Sequence, residues 1–401
     1  MEKIYIVAAR RSAIGSNLGS LSSLNAADLG ALVVKTMLSD ANIPSDIIDE
    51  CIVGNVLSAG IGQGPARQVA IKAGLPETTC AYSINMVCGS GLKAVINAFN
   101  DIRSGFCSVV VAGGTEIMSG APYLIPNNAR TGIKMGHFNV TDHMLHDSLI
   151  DAYSGDHMGI TAENIAEKYG ITRSEQDEFA FDSQRKAIAA VDSGVFDEEI
   201  VPLMVKKGKE MISFERDEYP NRTTSPEKLA KLKPAFKQDG TVTAGNSSGI
   251  NDGASFVVIA SESAVKAHDL KPLCEVISAG QGGVDPQYMG LGPVPATNSA
   301  LKKAGLKLSD IDIIELNEAF AAQSLGVIRE LCGEHGLDEK EFMKRVNING
   351  GAIALGHPVG ASGNRILVTL IHELHRYNKN YGLASLCIGG GMGTALIIKK
   401  V

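Results

Sequence analysis

The two halves of this 401-residue chain repeat the same short pattern, and this repeat constrains the fold more than any other feature. Ser90-Gly91 opens a run whose apolar residues recur at helical spacing over 92–99, and Ser362-Gly363 opens a similar run over 366–374. Each run predicts an amphipathic helix with one buried stripe. A chain that repeats such helices is expected to contain two similar halves.

The segments that follow these helices also correspond. Each helix is followed by a short apolar strand that ends in glycines, residues 109–114 and 383–391. The next strand follows at once in the C-terminal half, at 394–398, whereas its N-terminal counterpart is 254–260. Residues 119–249 are therefore predicted to be an insertion between two strands that are otherwise neighbours.

A third pair of segments, residues 47–55 and 311–317, precedes the repeated helices. Strands written as continuous Val/Ile/Leu runs and alternating with helices are typical of a layered α/β fold. One ordinary doubly wound sheet is the alternative, and the recurrence of three segments in one order disfavours it. We predict an N-terminal half at 1–118 plus 250–270, an inserted loop domain at 119–249 and a C-terminal half at 271–401.

The predicted insertion is more polar than the rest of the chain. Its pattern predicts helices over 161–169 and 174–193, the second capped by Thr172 or Ser174. Residues 226–237 hold four lysines, Lys228 among them, against one glutamate. This stretch is either a solvated helix face or a local site for an anionic ligand.

Charge and cysteine content limit the partners and the compartment. The 37 Lys and Arg residues are outnumbered by 44 Asp and Glu, and the net charge of −7 disfavours a nucleic-acid partner. The apolar stretch at residues 4–9 is too short for a signal sequence or a membrane span and predicts a first strand. Seven cysteines without a CxxC pair indicate free thiols in a reducing compartment, so we expect a cytoplasmic protein without a membrane partner.

Cys88 is the first candidate catalytic residue, because it stands just before the first repeated helix. Backbone N–H groups and the helix dipole at such a position should lower the pKa of a thiol. The glycines around it allow a tight turn and close approach of a substrate. A small buried side chain is the alternative interpretation. That alternative suits the remaining cysteines outside glycine turns better, namely Cys51, Cys80, Cys107, Cys274 and Cys332.

His357 occupies the equivalent position ahead of the second repeated helix, between glycines and a proline. If the halves are related by a pseudo-two-fold axis, the two helix starts lie together and His357 comes within reach of Cys88. Nucleophilic thiol catalysis needs such a base. A histidine on the surface or hydrogen-bonded in the core is the alternative.

Two further segments place polar groups at strand ends. Cys387 is followed by Gly389 and two more glycines, a pattern that exposes a thiol and backbone N–H groups able to form an oxyanion hole. Asn317 leaves one strand and enters a helix, where its amide orients water or a carbonyl group, or merely caps the helix.

Metal and nucleotide chemistry find little support. The pairs His143/His146 and His372/His375 lack the HExxH spacing, so no metal site is predicted. The chain also lacks a Walker loop and a strand-borne GxGxxG motif, which argues against a nucleotide hydrolase or a dinucleotide-dependent dehydrogenase.

Four segments together resemble the thiolase family: VCGSG at Cys88, NEAFAAQ at Asn317, GGAIALGHPVGASG at His357 and LCIGGGMGTA at Cys387. The resemblance extends along the whole chain and is greatest to the biosynthetic, short-chain branch. It implies a layered α-β-α-β-α fold and the reversible Claisen condensation of two acetyl-CoA to acetoacetyl-CoA and CoA. Coenzyme A is then a substrate or product, and no separate cofactor is expected.

The resemblance also implies a role for each motif. Cys88 would carry the acyl group as a thioester, His357 would activate it, and Cys387 would be the second acid/base. Asn317 would hold a water that stabilises the enolate together with His357, and the N–H groups of Cys88 and Gly389 would form an oxyanion hole. The matching family positions along the path of CoA are Leu149, His157, Met158, Phe236, Ala244, Ser248, Ala319 and Phe320.

Specificity and the adenine end of CoA depend on other positions. Met158 and Met289 match positions that close the acyl pocket of the short-chain branch. The family commonly has an arginine one position before Arg222, so the adenine contact is either shifted to Arg222 or different, with Lys228 on the phosphate side. The resemblance further implies a homotetramer assembled through the insertion.

Three other functions stay open from the sequence. A degradative 3-ketoacyl-CoA thiolase would differ mainly in a deeper acyl pocket. A decarboxylating ketosynthase shares the duplicated fold but pairs its cysteine with two histidines, or with histidine and asparagine, where this chain has Cys387. A non-catalytic acyl-CoA-binding scaffold would not need Cys88.

Overall fold

The computed structural model describes residues 2–401, with the backbone alone for Lys207. The strands are β1 Ile4–Ser12, β2 Gly15–Ser16, β3 Glu50–Gly54, β4 Cys80–Ile84, β5 Val109–Ile117, β6 Tyr123–Leu124, β7 Thr141–Asp142, β8 Ile200–Val201, β9 Leu203–Lys207, β10 Glu210–Phe214, β11 Asn251–Ser261, β12 Cys274–Gly283, β13 Ile313–Leu316, β14 Tyr381–Ile388 and β15 Met392–Lys400. The α-helices are α1 Ala26–Asp40, α2 Pro65–Ala73, α3 Ser90–Arg103, α4 Met158–Tyr169, α5 Arg173–Asp192, α6 Pro226–Ala230, α7 Glu262–Ala267, α8 Pro293–Ala304, α9 Ala321–His335, α10 Glu339–Met343, α11 Ala352–Leu355 and α12 Val359–Arg376.

The main sheet runs in the order β13-β14-β15-β12-β1-β11-β5-β3-β4. Its two parts meet where Tyr5 and Ile6 of β1 pair with Glu275 and Cys274 of β12. In one part β3 is parallel to β5, while β5-β11 and β11-β1 are antiparallel. In the other part β13-β14 is parallel, and β14-β15 and β15-β12 are antiparallel. The predicted duplication is therefore present in the strand order and directions.

The predicted neighbours across the insertion are paired. Strand β5 runs antiparallel to β11 from Val109↔Ala260 to Ile117↔Asp252, although more than 130 residues separate these strands in the chain. In the C-terminal half the corresponding strands β14 and β15 form a hairpin, as the sequence predicts. The exact division of the chain into three parts stays a prediction.

The apolar residues of the strands are buried on both faces. On β5, Val109 and Val111 pack in a cluster with α1 and α2, whereas Val110 and Ala112 pack in a cluster with α3 and α12. The C-terminal strands contact α12 on one face and α8 and α9 on the other. The layers are thus α-β-α-β-α, with the two repeated helices in the middle. This burial on both faces explains the continuous apolar runs of the strands.

Three local predictions need correction or sharpening. Helix α12 begins at Val359, three residues before the predicted Ser362, because its first turn contains small residues that hide the apolar period. The basic stretch is helical only at Pro226–Ala230, so a solvated helix face accounts for only part of it. Thr172 is the cap of α5 and forms a capping box with Glu175.

Candidate active site

The two repeated helices begin beside the same cavity. Cys88 precedes the first residue of α3 by two positions and His357 precedes the first residue of α12 by two, and both line a cavity of about 330 Å³. Cys387, near the end of β14, and Gly389, in the turn between β14 and β15, line it as well. The structure thus places Cys88 and His357 at one cavity, as the repeat predicts.

A strained turn presents Cys88 to the cavity. Val87 has φ +46°, a backbone conformation that is costly for a β-branched residue. The Ser90 hydroxyl donates to the Val87 carbonyl at 2.7 Å and accepts from the Met86 N–H at 2.8 Å, and these bonds hold the turn closed. The strained backbone conformation is therefore at Val87, directly before the candidate nucleophile Cys88.

The pKa of Cys88 differs from the sequence prediction. Burial raises the pKa of the thiol to about 11, although the N–H groups of Gly389 and of Cys88 itself approach the sulfur and oppose this rise. The predicted lowering by the helix start is therefore wrong for the free protein, because desolvation of a thiolate outweighs two N–H groups. A base is needed to take the thiol proton at neutral pH.

His357 has the properties of that base. Its Nδ1 lies 2.6 Å from the Ser362 hydroxyl, which donates its own hydrogen to the Pro358 carbonyl at 2.9 Å. The hydroxyl must therefore accept from Nδ1–H, and this leaves the lone pair on Nε2. Among the described residues Nε2 has no hydrogen-bond partner. Burial, with a smaller contribution from the positive charge of Arg365, lowers the pKa of His357 to about 4, so the ring is neutral at pH 7.

Cys387 lines the cavity, whereas Asn317 is not among the lining residues. Burial raises the pKa of Cys387 far above that of an ordinary thiol, and the neighbouring Cys88 adds to the rise, so Cys387 holds its proton in the free protein. Asn317 is fully buried, and neither of its amide atoms has a partner within residues 2–401. It does not cap the next helix, which starts at Ala321 after Phe320.

Aromatic rings form one wall of the cavity. The ring of His157 stacks on Phe236 with 4.5 Å between centroids, and Phe236 meets Phe320 edge to face at 6.1 Å. His157 also caps α4 by accepting from the Gly159 N–H, and burial lowers its pKa. Of the residues that match CoA-binding positions, those lining this cavity are Leu149, His157, Met158, Phe236, Ala244, Ser248, Met289, Ala319 and Phe320.

The two predicted basic contacts have different surroundings. Lys228 lines a second cavity of about 570 Å³, which shares Tyr219 and Ala244 with the first. Arg222 lines neither cavity and instead forms two hydrogen bonds to the carboxylate of Asp192, at 2.9 and 2.6 Å. The cavity next to the catalytic one is therefore lined by Lys228 and not by Arg222.

Models of a known protein family match nearly the whole chain. The model described as the thiolase N-terminal domain matches residues 4–263, and that of the thiolase C-terminal domain matches residues 270–400. The chain belongs to the thiolase family.

Relatives that match this thiolase over its full length support the same family. It is 54% identical over 401 residues to the acetyl-CoA acetyltransferase of Escherichia coli (strain K12), with 100% of both chains covered. A solved acetyl-CoA acetyltransferase from Syntrophomonas wolfei superposes with a TM-score of 0.96 at 43% identity, covering 100% of both chains. Human mitochondrial 3-ketoacyl-CoA thiolase in complex with CoA superposes with a TM-score of 0.93 at 44% identity, covering 100% of this chain and 98% of the other.

Sequence reasoning missed several residues around the site of this thiolase. Tyr219 lines both cavities, and Ser362 fixes the hydrogen on His357. Ser362 stands five residues after His357 in a helix start, a spacing that could have drawn attention to it. Tyr219 lies in an irregular segment without a motif, so no local signal identified it. Residues 2–401 contain no group of three His, Cys, Asp or Glu side chains that could hold a metal ion.

Proposed function

We propose that this thiolase is an acetyl-CoA acetyltransferase, which joins two acetyl-CoA molecules into acetoacetyl-CoA and CoA, and reverses the reaction, through an acetyl group on Cys88. The observation that carries the proposal is one cavity lined by Cys88, His357, Cys387 and Gly389. Full-length relatives bearing the name acetyl-CoA acetyltransferase support the same reaction.

In the first half-reaction the Cys88 sulfur attacks the thioester carbonyl of acetyl-CoA and its proton passes to Nε2 of His357. The N–H groups of Cys88 and Gly389, which approach the sulfur, donate to the oxygen that becomes negative. The bond to the CoA sulfur then breaks, and Cys387, whose raised pKa keeps it protonated, gives its proton to the leaving thiolate.

In the second half-reaction the Cys387 thiolate takes a proton from the methyl group of a second acetyl-CoA. His357, now protonated on both nitrogens, and a water held by Asn317 donate to the enolate oxygen, a role that suits the unpartnered buried amide of Asn317. The enolate carbon attacks the acetyl carbonyl on Cys88, and the C–S bond breaks. The Cys88 thiolate then recovers the proton from His357, so all protons balance.

Coenzyme A would lie with its pantetheine arm along the aromatic wall and its phosphates toward Lys228. The two cavities share Tyr219 and Ala244 and are therefore neighbours, which supports one extended ligand across both. The Lys228 ammonium group supplies positive charge beside the second cavity. Coenzyme A is here a substrate or product, and no other cofactor is proposed.

A degradative 3-ketoacyl-CoA thiolase is the second candidate, and the resemblance to the human enzyme favours it. Two buried methionines, Met158 and Met289, line the catalytic cavity and limit its depth, which supports the short-chain substrate. A decarboxylating ketosynthase is disfavoured because Cys387 stands where its second histidine or asparagine belongs. A non-catalytic acyl-CoA-binding scaffold is disfavoured because it has no need for a neutral His357 in the same cavity as Cys88.

We base the proposed oligomeric state on exposed apolar side chains and the proposed cellular compartment on the free cysteines. Exposed apolar side chains in the insertion, such as Tyr123, Ile125 and Met135, support association of copies into a homotetramer. All seven cysteines are free, which supports a reducing compartment such as the cytoplasm. No helix among the described residues is long and apolar enough to cross a membrane.

The testing experiment is CoA-dependent cleavage of 3-ketoacyl-CoA substrates of increasing chain length by the purified protein. We expect the highest kcat/KM for acetoacetyl-CoA and a steep fall with longer chains. Equal or better cleavage of long chains would favour the degradative thiolase. Absence of cleavage for every chain length would refute the thiolase reaction itself.

A further inference from the structure

Glu116, near the end of β5, is a fully buried carboxylate outside the catalytic cavity. Its Oε2 accepts the N–H of Val56 at 2.9 Å and of Gly360 at 3.0 Å. Its Oε1 accepts the N–H of Leu57 at 3.1 Å and the amide of Asn55 at 2.9 Å. Residues 55–57 directly follow β3 in the N-terminal half, whereas Gly360 belongs to α12 in the C-terminal half. One carboxylate therefore joins the two halves of the chain.

Gly360 lies in the first turn of α12, three residues after His357. The N-cap residue of this helix, Pro358, supplies no side-chain hydrogen bond to the free N–H groups of the first turn. Glu116 takes this place from the other half of the protein, with a negative charge that suits the positive end of the helix. The helix start that carries His357 is therefore capped by a residue of the half that carries Cys88.

The backbone is tightly packed at this contact. A Cβ atom at Gly114 would lie 2.0 Å from the carbonyl oxygen of Gly360, and a Cβ atom at Gly360 would lie 2.5 Å from Oε2 of Glu116. On the other side of His357, the Glu318 carboxylate accepts the N–H of Ile353 at 3.2 Å. The His357 segment thus runs between two buried carboxylates and has little room to shift.

Burial raises the pKa of Glu116 to about 7, while the three backbone N–H groups oppose this rise. The charge is thus costly at this place, and its hydrogen bonds offset part of the cost. A less polar residue would fill the same space without that cost. The hydrogen bonds that Glu116 accepts from both halves of the chain therefore explain why a carboxylate occupies this buried position.

We propose that Glu116 is a positioning residue, which holds the start of α12, and with it His357, at the place from which the imidazole reaches the Cys88 thiol. The proposal rests on the proposed acyl-transfer function. Small displacements of a catalytic group cost up to about 100-fold in rate. Loss of the contact should therefore lower kcat, whereas KM should change little, because the walls that match CoA-binding positions come from other segments.

The test is the Glu116→Gln variant in acetoacetyl-CoA cleavage, together with alkylation of Cys88 by iodoacetamide at pH 7. The amide keeps the shape but turns an NH₂ group toward backbone donors. We expect kcat and the alkylation rate to fall about 10- to 100-fold together, with KM within about threefold. The control is Asp49→Asn, since the exposed Asp49 carboxylate also accepts two backbone N–H groups, those of Ser108 and Val109, at the other end of β5. It should lower the melting temperature without changing kcat.

Each outcome decides the proposal. A folded Glu116→Gln protein with kcat within threefold of the wild type, or an equal loss of kcat in Asp49→Asn, would overturn it. If Glu116→Gln does not fold, Gly360→Ala decides, because its methyl group displaces the same carboxylate. Gly360→Ala should show the same fall of kcat, and an unchanged kcat would overturn the proposal. A wild-type protein without cleavage activity would instead overturn the proposed function.

Discussion

Replacement of Ser362 by alanine tests how the histidine is prepared for catalysis. In the wild type the buried Ser362 hydroxyl accepts Nδ1–H of His357 at 2.6 Å and so keeps the lone pair on Nε2. Ser362→Ala leaves a buried N–H without a partner, which costs about 1–3 kcal/mol. The preference for the productive tautomer falls by the same amount.

The expected loss follows from this free energy. A factor of ten corresponds to about 1.4 kcal/mol, so kcat/KM should fall roughly 5- to 150-fold. The assay is initial-rate cleavage of acetoacetyl-CoA by CoA, with rapid-quench measurement of Cys88 acetylation as a second readout. Both rates should fall by the same factor, since the histidine acts before the first bond is formed.

The matched control is Ser255→Ala. The Ser255 hydroxyl is equally buried and donates to Oδ1 of Asn364, also on α12, at 2.7 Å. Its loss should lower thermal stability by a similar amount and leave kcat/KM within twofold of the wild type. A Ser362→Ala enzyme within threefold of the wild type would refute the reasoning about the tautomer.

Three further predictions concern pH, the aromatic wall and the second cavity. Alkylation of Cys88 by iodoacetamide should be flat between about pH 8 and 10. This window lies above the pKa values of about 4 for His357 and about 7 for Glu116, and below that of about 11 for Cys88; in His357→Asn the rate should rise about tenfold per pH unit. In Gly159→Ala the new Cβ atom would lie 2.2 Å from the Phe236 ring, so measured KM values for CoA substrates should rise about two- to tenfold with kcat nearly unchanged. Lys228→Ala should raise the KM for CoA about fivefold in low salt and less at 0.5 M salt.

The controls are built into the same assays. Arg222 is engaged with Asp192 on the surface, so Arg222→Ala should change the KM for CoA less than twofold. A larger effect of Arg222→Ala than of Lys228→Ala would reverse the assignment of the phosphate end. A wild-type alkylation profile with a midpoint near pH 8.5 would show that Cys88 behaves as an ordinary thiol without a base.

The sequence predicted the parts of the fold that the repeat records. Matching segments in the same order predicted two α/β halves, and the neighbouring positions of β5 and β11 across the insertion followed from the same comparison. The start of α12 was misplaced, because its first turn is made of small residues with no apolar period. The first turn of α12 contains small residues because α12, α3 and the sheet approach each other closely there. Such a close approach leaves no periodic pattern of apolar residues in the sequence.

The candidate site was predictable where chemistry and motif coincide. Cys88, His357 and Cys387 stand at glycine-flanked helix starts or strand ends, and one cavity unites them. The direction of the Cys88 pKa was not predictable, because desolvation depends on the tertiary packing around the sulfur. Glu116 likewise gave no local signal, since its partners lie about 60 and 244 residues away in the chain.

Mass spectrometry of the protein after incubation with acetyl-CoA and an acid quench shows directly whether Cys88 carries the acyl group. We expect one acetyl group, on the peptide that contains Cys88, and its absence in Cys88→Ala. Cys387→Ser should be acetylated on Cys88 more slowly, because the leaving CoA thiolate loses its proton donor. It should form no acetoacetyl-CoA, because the methyl proton of the second substrate has no base. An acetyl group on another residue, or full activity of Cys88→Ala, would contradict the account.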